Sequence, residues 1–143
     1  FAGVMDQLVE PALSRDRPTV VSRWPSPMAV LARRCDDDAN FAERFEIYAF
    51  GAGALGQQRD ARPLELCNAF DELTDAVEQR ARFVDDNVKR RALGKPALPL
   101  DEDFLTALPL LPRSAGCALG VDRLLMILLG AAHIDEVCTL PWR

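Results

Sequence analysis

The sequence predicts an α+β fold, and three observations predict it. Short stretches of alternating apolar residues occur at "TVVSRW" (19–24), "RFEIYAFG" (44–51), "LELCNAF" (64–70) and "CALGV" (117–121), the period of two that belongs to β-strands. From Asp71 the period changes, and Ala76, Val77, Ala81, Val84 and Val88 fall at helical spacing. Near the C-terminus "GCALGVDRLLMILLG" carries an unbroken apolar run from Leu124 to Leu129, which must be buried if it is helical. Short strands together with long helical stretches read as an antiparallel sheet backed by helices.

The elements follow in order. Residues 1–13 place Val4, Met5, Leu8 and Val9 at helical spacing, and Pro11 with "SRDRP" ends that helix. "TVVSRW" stops at "PSP", where two prolines forbid continuation. "MAVLARR" reads either as a short helix or as a turn, and "DDDANFAE" as a solvated acidic loop. In the second strand Phe45, Ile47 and Ala49 share one face, with Glu46, Tyr48 and Phe50 on the other. "GAGALGQQRDARP" (51–63) is rich in turn residues and reads as a long hairpin excursion. The third strand puts Glu65, Cys67 and Ala69 on one side and Leu66, Asn68 and Phe70 on the other. A long amphipathic helix over 72–93 starts near Thr74 and ends at Gly94. "DEDFLTAL" is a short helix capped by Asp101 or Asp103. The strand "CALGV", a nearly wholly buried helix over Val121–Leu129 and a last short helix in "HIDEVCTL" complete a single domain over 1–143.

Composition narrows the function classes. Acidic residues outnumber basic ones, 22 to 17, for a formal net charge of -5. A free-standing nucleic-acid-binding protein carries a basic surface, so the balance argues against one while leaving room for a local basic groove. A single histidine, His133, argues against Ser–His catalysis and a multi-histidine metal site. Cys35, Cys67, Cys117 and Cys138 form no C-x-x-C pair. Neither a zinc site nor a disulfide framework is expected, and the thiols read as reduced, mostly small core residues of a cytoplasmic protein. No stretch approaches the ~20 apolar residues of a membrane span, and no signal peptide is visible. The chain begins with Phe1 rather than methionine, so the expectation is a piece of a longer polypeptide or a processed form.

Three places can carry chemistry, and each has a plainer alternative. Glu46 and Glu65 interrupt apolar β-patterns; across a hairpin they would face and repel one another unless a cation joins them. Magnesium suits such a pair, because it binds through one or two carboxylates plus substrate phosphates. Two edge-strand glutamates in water fit the same spacing, and spacing alone favours them. Asn68 and Glu72 together can receive a ligand ammonium, the amide oxygen accepting and the carboxylate neutralising, with Phe70 as a wall. A strand-to-helix turn capped by Asp71 explains the same residues, and by themselves they favour it. Gly116, Ala118 and Gly120 permit close backbone approach on a strand, and Arg123 then stands at a helix N-terminus, where anions bind. Its planar fork suits phosphate. A structural pairing of Asp122 and Arg123 with a neighbour fits equally well.

Taken together and in this order, "RFEIYAFG", "ELCNAFDELTDAVEQRARF" and "AGCALGVDRLLMILLG" resemble the C-terminal half of a class II lysyl-tRNA synthetase catalytic domain. The last stretch, 116–130, is similar to the third signature motif of that class. The resemblance covers most of residues 1–143 and implies the class II antiparallel sheet flanked by helices, in its C-terminal portion only. Within the superfamily the chain looks like the elongation factor P–(R)-β-lysine ligase branch. It has Ala118 where the synthetases usually have glycine, and "DNVKRRALGKP" and "VEPALSRDRPTVVSRWPSPMAVLAR" are similar to that branch.

The resemblance implies roles position by position. Glu46 and Glu65 match the magnesium and ATP-phosphate carboxylates. Asn68 and Glu72 match lysine-recognition positions, Phe70 the pocket wall and Ala118 the pocket floor. Arg123 matches the class II arginine that meets the ATP polyphosphate. Three features depart from the family: Ala69 stands where glycine is usual, Cys67 replaces a smaller residue, and the 51–62 loop is an insertion. The first and second class II motifs would lie before Phe1, so the chain alone is expected to be inactive. The implied reaction has two steps. The carboxylate of lysine or (R)-β-lysine attacks the ATP α-phosphorus, and the adenylate is then taken by a lysine amine of elongation factor P. A homodimer is implied and tRNA is the less favoured acceptor. A lysyl-tRNA synthetase fragment and a non-catalytic truncated paralogue are the alternatives.

Overall fold

The computed structural model describes residues 2–51 and 62–140. Four strands, β1 (Thr19–Pro25), β2 (Phe41–Ala49), β3 (Leu64–Asp71) and β4 (Ala115–Leu119), form one antiparallel sheet in the order β1-β2-β3-β4. Helices α1 (Ala76–Ala92), α2 (Glu102–Ala107) and α3 (Val121–Leu129) follow. The α+β class is therefore as expected, with shifted boundaries. β2 begins at Phe41, inside the expected acidic loop, and β4 begins at Ala115. "MAVLARR" forms no α-helix. After a 3-10 turn at Ser26–Met28, its backbone pairs through isolated antiparallel bridges, Ala32 with Glu72 and Arg34 with Ala42. The amides of Arg33 and Cys35 bond the carbonyls of Asp71 and Phe41 at 2.8 and 2.9 Å. The expected excursion at 51–63 lies largely outside the described residues.

The N-terminal helical stretch is wound unevenly. Ala2–Val4 is α-helical, Met5–Val9 widens to a π-helix and Glu10–Ala12 tightens to a 3-10 turn. Pro11, which has no amide proton to give, stands in the last turn. Of the four apolar residues expected inward, Met5 is buried while Val4 and Leu8 are exposed.

The chain forms two compact units, and all four strands contribute residues to both. One unit is built from Arg23–Arg44 and Phe70–Gly116. Its core holds Ala29, Ala32 and Ala42, with Phe70 packed against them. α1 is capped by Asp75, whose carboxylate accepts from the amides of Val77 and Glu78 at 2.8 and 3.0 Å, one residue after the expected Thr74. Gly94 at φ +70° follows the helix end as expected.

The inward face of α1 is the main correction in this unit. Val77, Ala81, Val84 and Val88 all face solvent, and the buried residue is Gln79, at 0% exposure. The surface met by the helix explains the inversion. Backbone pairing engages Leu31 O, through Leu73 N, but leaves acceptor capacity on the carbonyls of Ala29, Val30 and Ala32, and buried carbonyls need donors. Gln79 Nε2 donates to Val30 O at 3.2 Å, and Arg82 Nη1 donates to the carbonyls of Ala29, Val30 and Ala32 at 2.8, 3.1 and 2.8 Å. Glu78 accepts from Arg82 Nη2 at 2.7 Å and neutralises it. A valine stripe could satisfy none of these groups, so the polar face turns inward.

The other unit is built from Phe1–Ser22, Phe45–Ala69 and Cys117–Arg143. It contains α3, which spans Val121–Leu129 as expected and closes at Gly130 with φ +69°. Nearly complete burial of this helix is not observed. Leu124 to Ile127 are half-buried, while Val121, Leu128 and Leu129 are exposed, Leu128 at 69%. β4, the strand that leads into the helix, is last in the sheet order and exposed along most of its length. Apolar composition states what a helix gains from cover; it does not supply the covering surface.

Candidate functional site

In the first of these positions, Glu46 is 3% exposed on β2. That excludes for Glu46 the reading as an edge carboxylate in water. Its strand face is the buried one, shared with Tyr48 and with Phe50 just beyond the strand. A buried carboxylate must be paired or hydrogen-bonded, and Glu46 is. The Tyr48 hydroxyl donates to Oε2 in a short bond, and Asn68 Nδ2 on β3 donates to Oε1 at 3.3 Å. Asn68 Oδ1, turned away from the carboxylate, is buried with no hydrogen-bond partner in the described structure.

Glu65 is half-buried on β3. The Tyr48 phenol is pushed up by burial first, then by its bond to Glu46, and then by the charges of Glu46 and Glu65. The Cys67 thiol is pushed up to about 11, by burial, by contact with Cys117 and then by the same two carboxylates. Both glutamates therefore act on one small region. Cys67 Sγ lies 3.1 Å from Cys117 Sγ on β4, which is exposed.

Arg123 is exposed in the first turn of α3, and its Nη1 donates to the backbone carbonyl of Glu65 at 2.7 Å. Arg123 thus makes a structural pairing with a neighbour, as the plainer alternative expects, but in an exposed position. Gly120 precedes the helix, gives no side-chain cap, and bonds through its amide to Leu66 O at 2.8 Å. These two bonds hold the start of α3 against β3 beside Glu65. Ala118 is exposed on β4. Glu46, Glu65, Asn68, Ala118 and Arg123 all belong to this unit.

Phe70 and Glu72 belong to the other unit. Phe70 packs on the alanine core there, so it has a structural task. Glu72 N donates to Ser114 O at 2.8 Å. Burial, and then the charge of Asp71, push the Glu72 carboxyl up from the ordinary range. Gly116 makes room for that carboxylate: a Cβ at position 116 would lie 2.4 Å from Glu72 Oε1. Asp71 is not a helix cap. It bonds Arg33 at 2.9 Å and Arg113 at 3.1 Å. Burial raises its carboxyl, but the two guanidinium bonds outweigh that and hold it below the usual range.

The donor set fits magnesium by its chemistry. Two carboxylates are hard oxygen ligands that leave the remaining coordination to water and phosphate. Among the described residues, no group of three or more His, Cys, Asp and Glu is arranged to hold a metal, so an ion held wholly by such side chains is not provided for. A cleft of about 460 Å³ lies at the C-terminal part of α1 and includes Phe83, Asn87, Leu93 and Leu98, but none of the candidate residues. The candidate residues are distinguished instead by a buried carboxylate and an unpaired amide oxygen. Tyr48 is the functional candidate that reasoning from sequence missed. The available signal was its position two residues after Glu46 on one strand face.

The family model for tRNA synthetases class II (D, K and N) matches residues 9–143. The chain is 47% identical over 130 residues to the elongation factor P–(R)-β-lysine ligase of Klebsiella pneumoniae subsp. pneumoniae, covering 90% of this chain and 36% of that protein. It is 45% identical over 134 residues to the ligase of the same name from Proteus mirabilis, covering 93% and 38%. For that of Histophilus somni the figures are 46% over 131 residues, with 91% and 37% covered. The chain thus spans well under half the length of these relatives. No helix among the described residues is long and apolar enough to cross a membrane.

Proposed function

The chain belongs to the family of class II tRNA synthetases (D, K and N), and from that premise we propose that the full-length protein activates (R)-β-lysine with ATP and ligates it to a lysine of elongation factor P. The choice of (R)-β-lysine rests on the similarity to the ligases, and the observation that supports an ammonium-bearing substrate is the Asn68 amide. Its nitrogen is engaged by Glu46 and its oxygen is buried and unpaired. A buried acceptor without a donor costs about 1–3 kcal/mol, and a ligand ammonium removes that cost on binding. Glu72, held clear by Gly116, is the acidic position that we assign to a substrate ammonium on the family resemblance.

The chain's own residues then do electrostatic and positional work. Arg123 presents a fixed positive fork at an uncapped helix start, where phosphate oxygens are also met by backbone amides. Its anchor on the Glu65 carbonyl sets where that charge stands. Glu46 and Glu65 would hold magnesium, which neutralises phosphate charge when bound. The attacking group is a carboxylate and needs no general base, so the rate comes from holding it in line with the α-phosphorus and stabilising the leaving pyrophosphate. We place the protein in the cytoplasm, reading its four free cysteines as reduced thiols.

ATP–pyrophosphate exchange by the full-length gene product is the test. (R)-β-lysine should stimulate it more than α-lysine, and elongation factor P should accept the activated residue. Exchange with α-lysine alone, followed by transfer to tRNA, would assign the protein to the synthetase branch instead.

A further inference from the structure

The hydroxyl of Tyr48 stands at the closed end of a chain of three side chains. It donates to Glu46 Oε2, Glu46 Oε1 accepts from Asn68 Nδ2 at 3.3 Å, and Asn68 Oδ1 is left buried and unpaired. Tyr48 and Glu46 are two residues apart on one face of β2, so the bond between them is built into the strand's pleat. Tyr48 is itself buried, at 6% exposure. The terminal torsion of a glutamate is soft. Holding one oxygen aims the other, and here the other oxygen meets the Asn68 amide.

The orientation of that amide decides what the site can bind. With Nδ2 toward Glu46, the amide offers oxygen to a ligand. Turned over, it would set its oxygen against a carboxylate and offer two N–H donors, which repel an ammonium and attract an anion. Glu46 selects the first arrangement, and Tyr48 determines which way Glu46 points.

We propose that Tyr48 is a positioning residue for amino-acid recognition, acting through Glu46 to hold the Asn68 amide with its oxygen toward a ligand ammonium. This rests on the functional reading above, and the experiment separates the two. In the full-length gene product, Tyr48→Phe removes the hydroxyl and keeps the ring. It should raise KM for (R)-β-lysine about tenfold, the effect of losing one hydrogen bond to a charged group. KM for (R)-β-lysine should rise more than KM for ATP, because Arg123 and Glu65 still meet the phosphates while the Asn68 amide is oriented through Glu46. In an Asn68→Ala background the same change should add nothing, because the path from Tyr48 to the ligand runs through Asn68. An additive loss, or a fall in kcat at constant KM, would overturn the proposal.

A second readout needs no activity. In ligand-free protein labelled with ¹⁵N at asparagine, the side-chain resonances of Asn68, identified by their loss in Asn68→Ala, should move in Tyr48→Phe. If the wild-type protein exchanges pyrophosphate with no amino acid, the functional reading fails, and these resonances alone decide the positioning role. Unmoved resonances overturn it.

Discussion

Gly116→Ala is the sharpest perturbation available, because the structure separates its effect on binding from its effect on stability. A Cβ at 116 would stand 2.4 Å from Glu72 Oε1 and 3.6 Å from Glu72 Cδ, and no other atom comes within 4 Å. An ordinary carbon–oxygen contact is about 3.3–3.6 Å, so the oxygen must retreat by about 1 Å. The atom that gives way is the far end of a flexible side chain, not backbone. The fold should therefore hold, with Tm changed by no more than about 2 °C, since ΔΔG stays well under 1 kcal/mol. The carboxylate, by contrast, leaves the place from which it would meet a ligand ammonium. A hydrogen bond to a charged group contributes about 1.5–3 kcal/mol, which corresponds to a rise in KM for (R)-β-lysine of about 10- to 150-fold. Pyrophosphate exchange in the full-length gene product, with amino acid and ATP varied separately, reads it out. An unchanged amino-acid KM would show that Glu72 does not receive the ammonium. A collapse in Tm would show that the backbone, not the carboxylate, yields.

Four other outcomes are expected. Arg123→Ala should lower kcat/KM for ATP by about 100-fold or more, the scale of losing one preorganised donor to developing charge, with amino-acid binding far less affected; unchanged exchange kinetics would refute the role. Arg82→Ala removes one donor from each of three carbonyls, of which Ala32 O loses its side-chain donor while Val30 O keeps Gln79, and leaves Glu78 paired with Arg34, so it should cost about 1–3 kcal/mol in urea unfolding, the scale of a buried acceptor left unmade; a loss below about 0.5 kcal/mol would show that water satisfies those carbonyls. Asp71 is held below the ordinary carboxylate range when folded, so its stabilising contribution is fully present above the unfolded value near pH 4 and is lost as pH falls through the folded one; the stability gap between wild type and Asp71→Asn should be flat from about pH 5 to 7 and close in stronger acid, and a gap constant to acid would refute the pairing. Exposed Cys117 should react with a thiol reagent before buried Cys67, and diamide, by taking two electrons and two protons, should join the two as a disulfide seen as the loss of two hydrogens by mass; two thiols that stay separately titratable after diamide would contradict their 3.1 Å approach.

How much of this was legible in the sequence follows from what each signal measures. Alternation located β1 and β3 within a residue or so, because a strand's two faces differ in burial along its whole length. The α2 cap, which sequence left between Asp101 and Asp103 and structure gives to Asp101, and Gly94 after α1 were legible for a similar reason: capping and positive φ are local chemistry, settled within a few residues. The candidate site residues were legible only as a set in order. Glu46 could be a buried ligand or a solvated edge residue, and no property of its neighbours in sequence separates the two.

Tertiary structure decided the rest. It buried Glu46 by bringing Asn68 across from β3 and Tyr48 over its other oxygen. It turned the valine stripe of α1 outward, because the facing backbone presented carbonyls that Gln79 and Arg82 could satisfy and valines could not. It left Leu128 and Leu129 of α3 in solvent although their composition calls for burial. Periodicity describes the element that needs a partner. What the partner surface offers, apolar area or unpaired hydrogen-bonding groups, is a property of segments far apart in the chain, and it exists only once they meet.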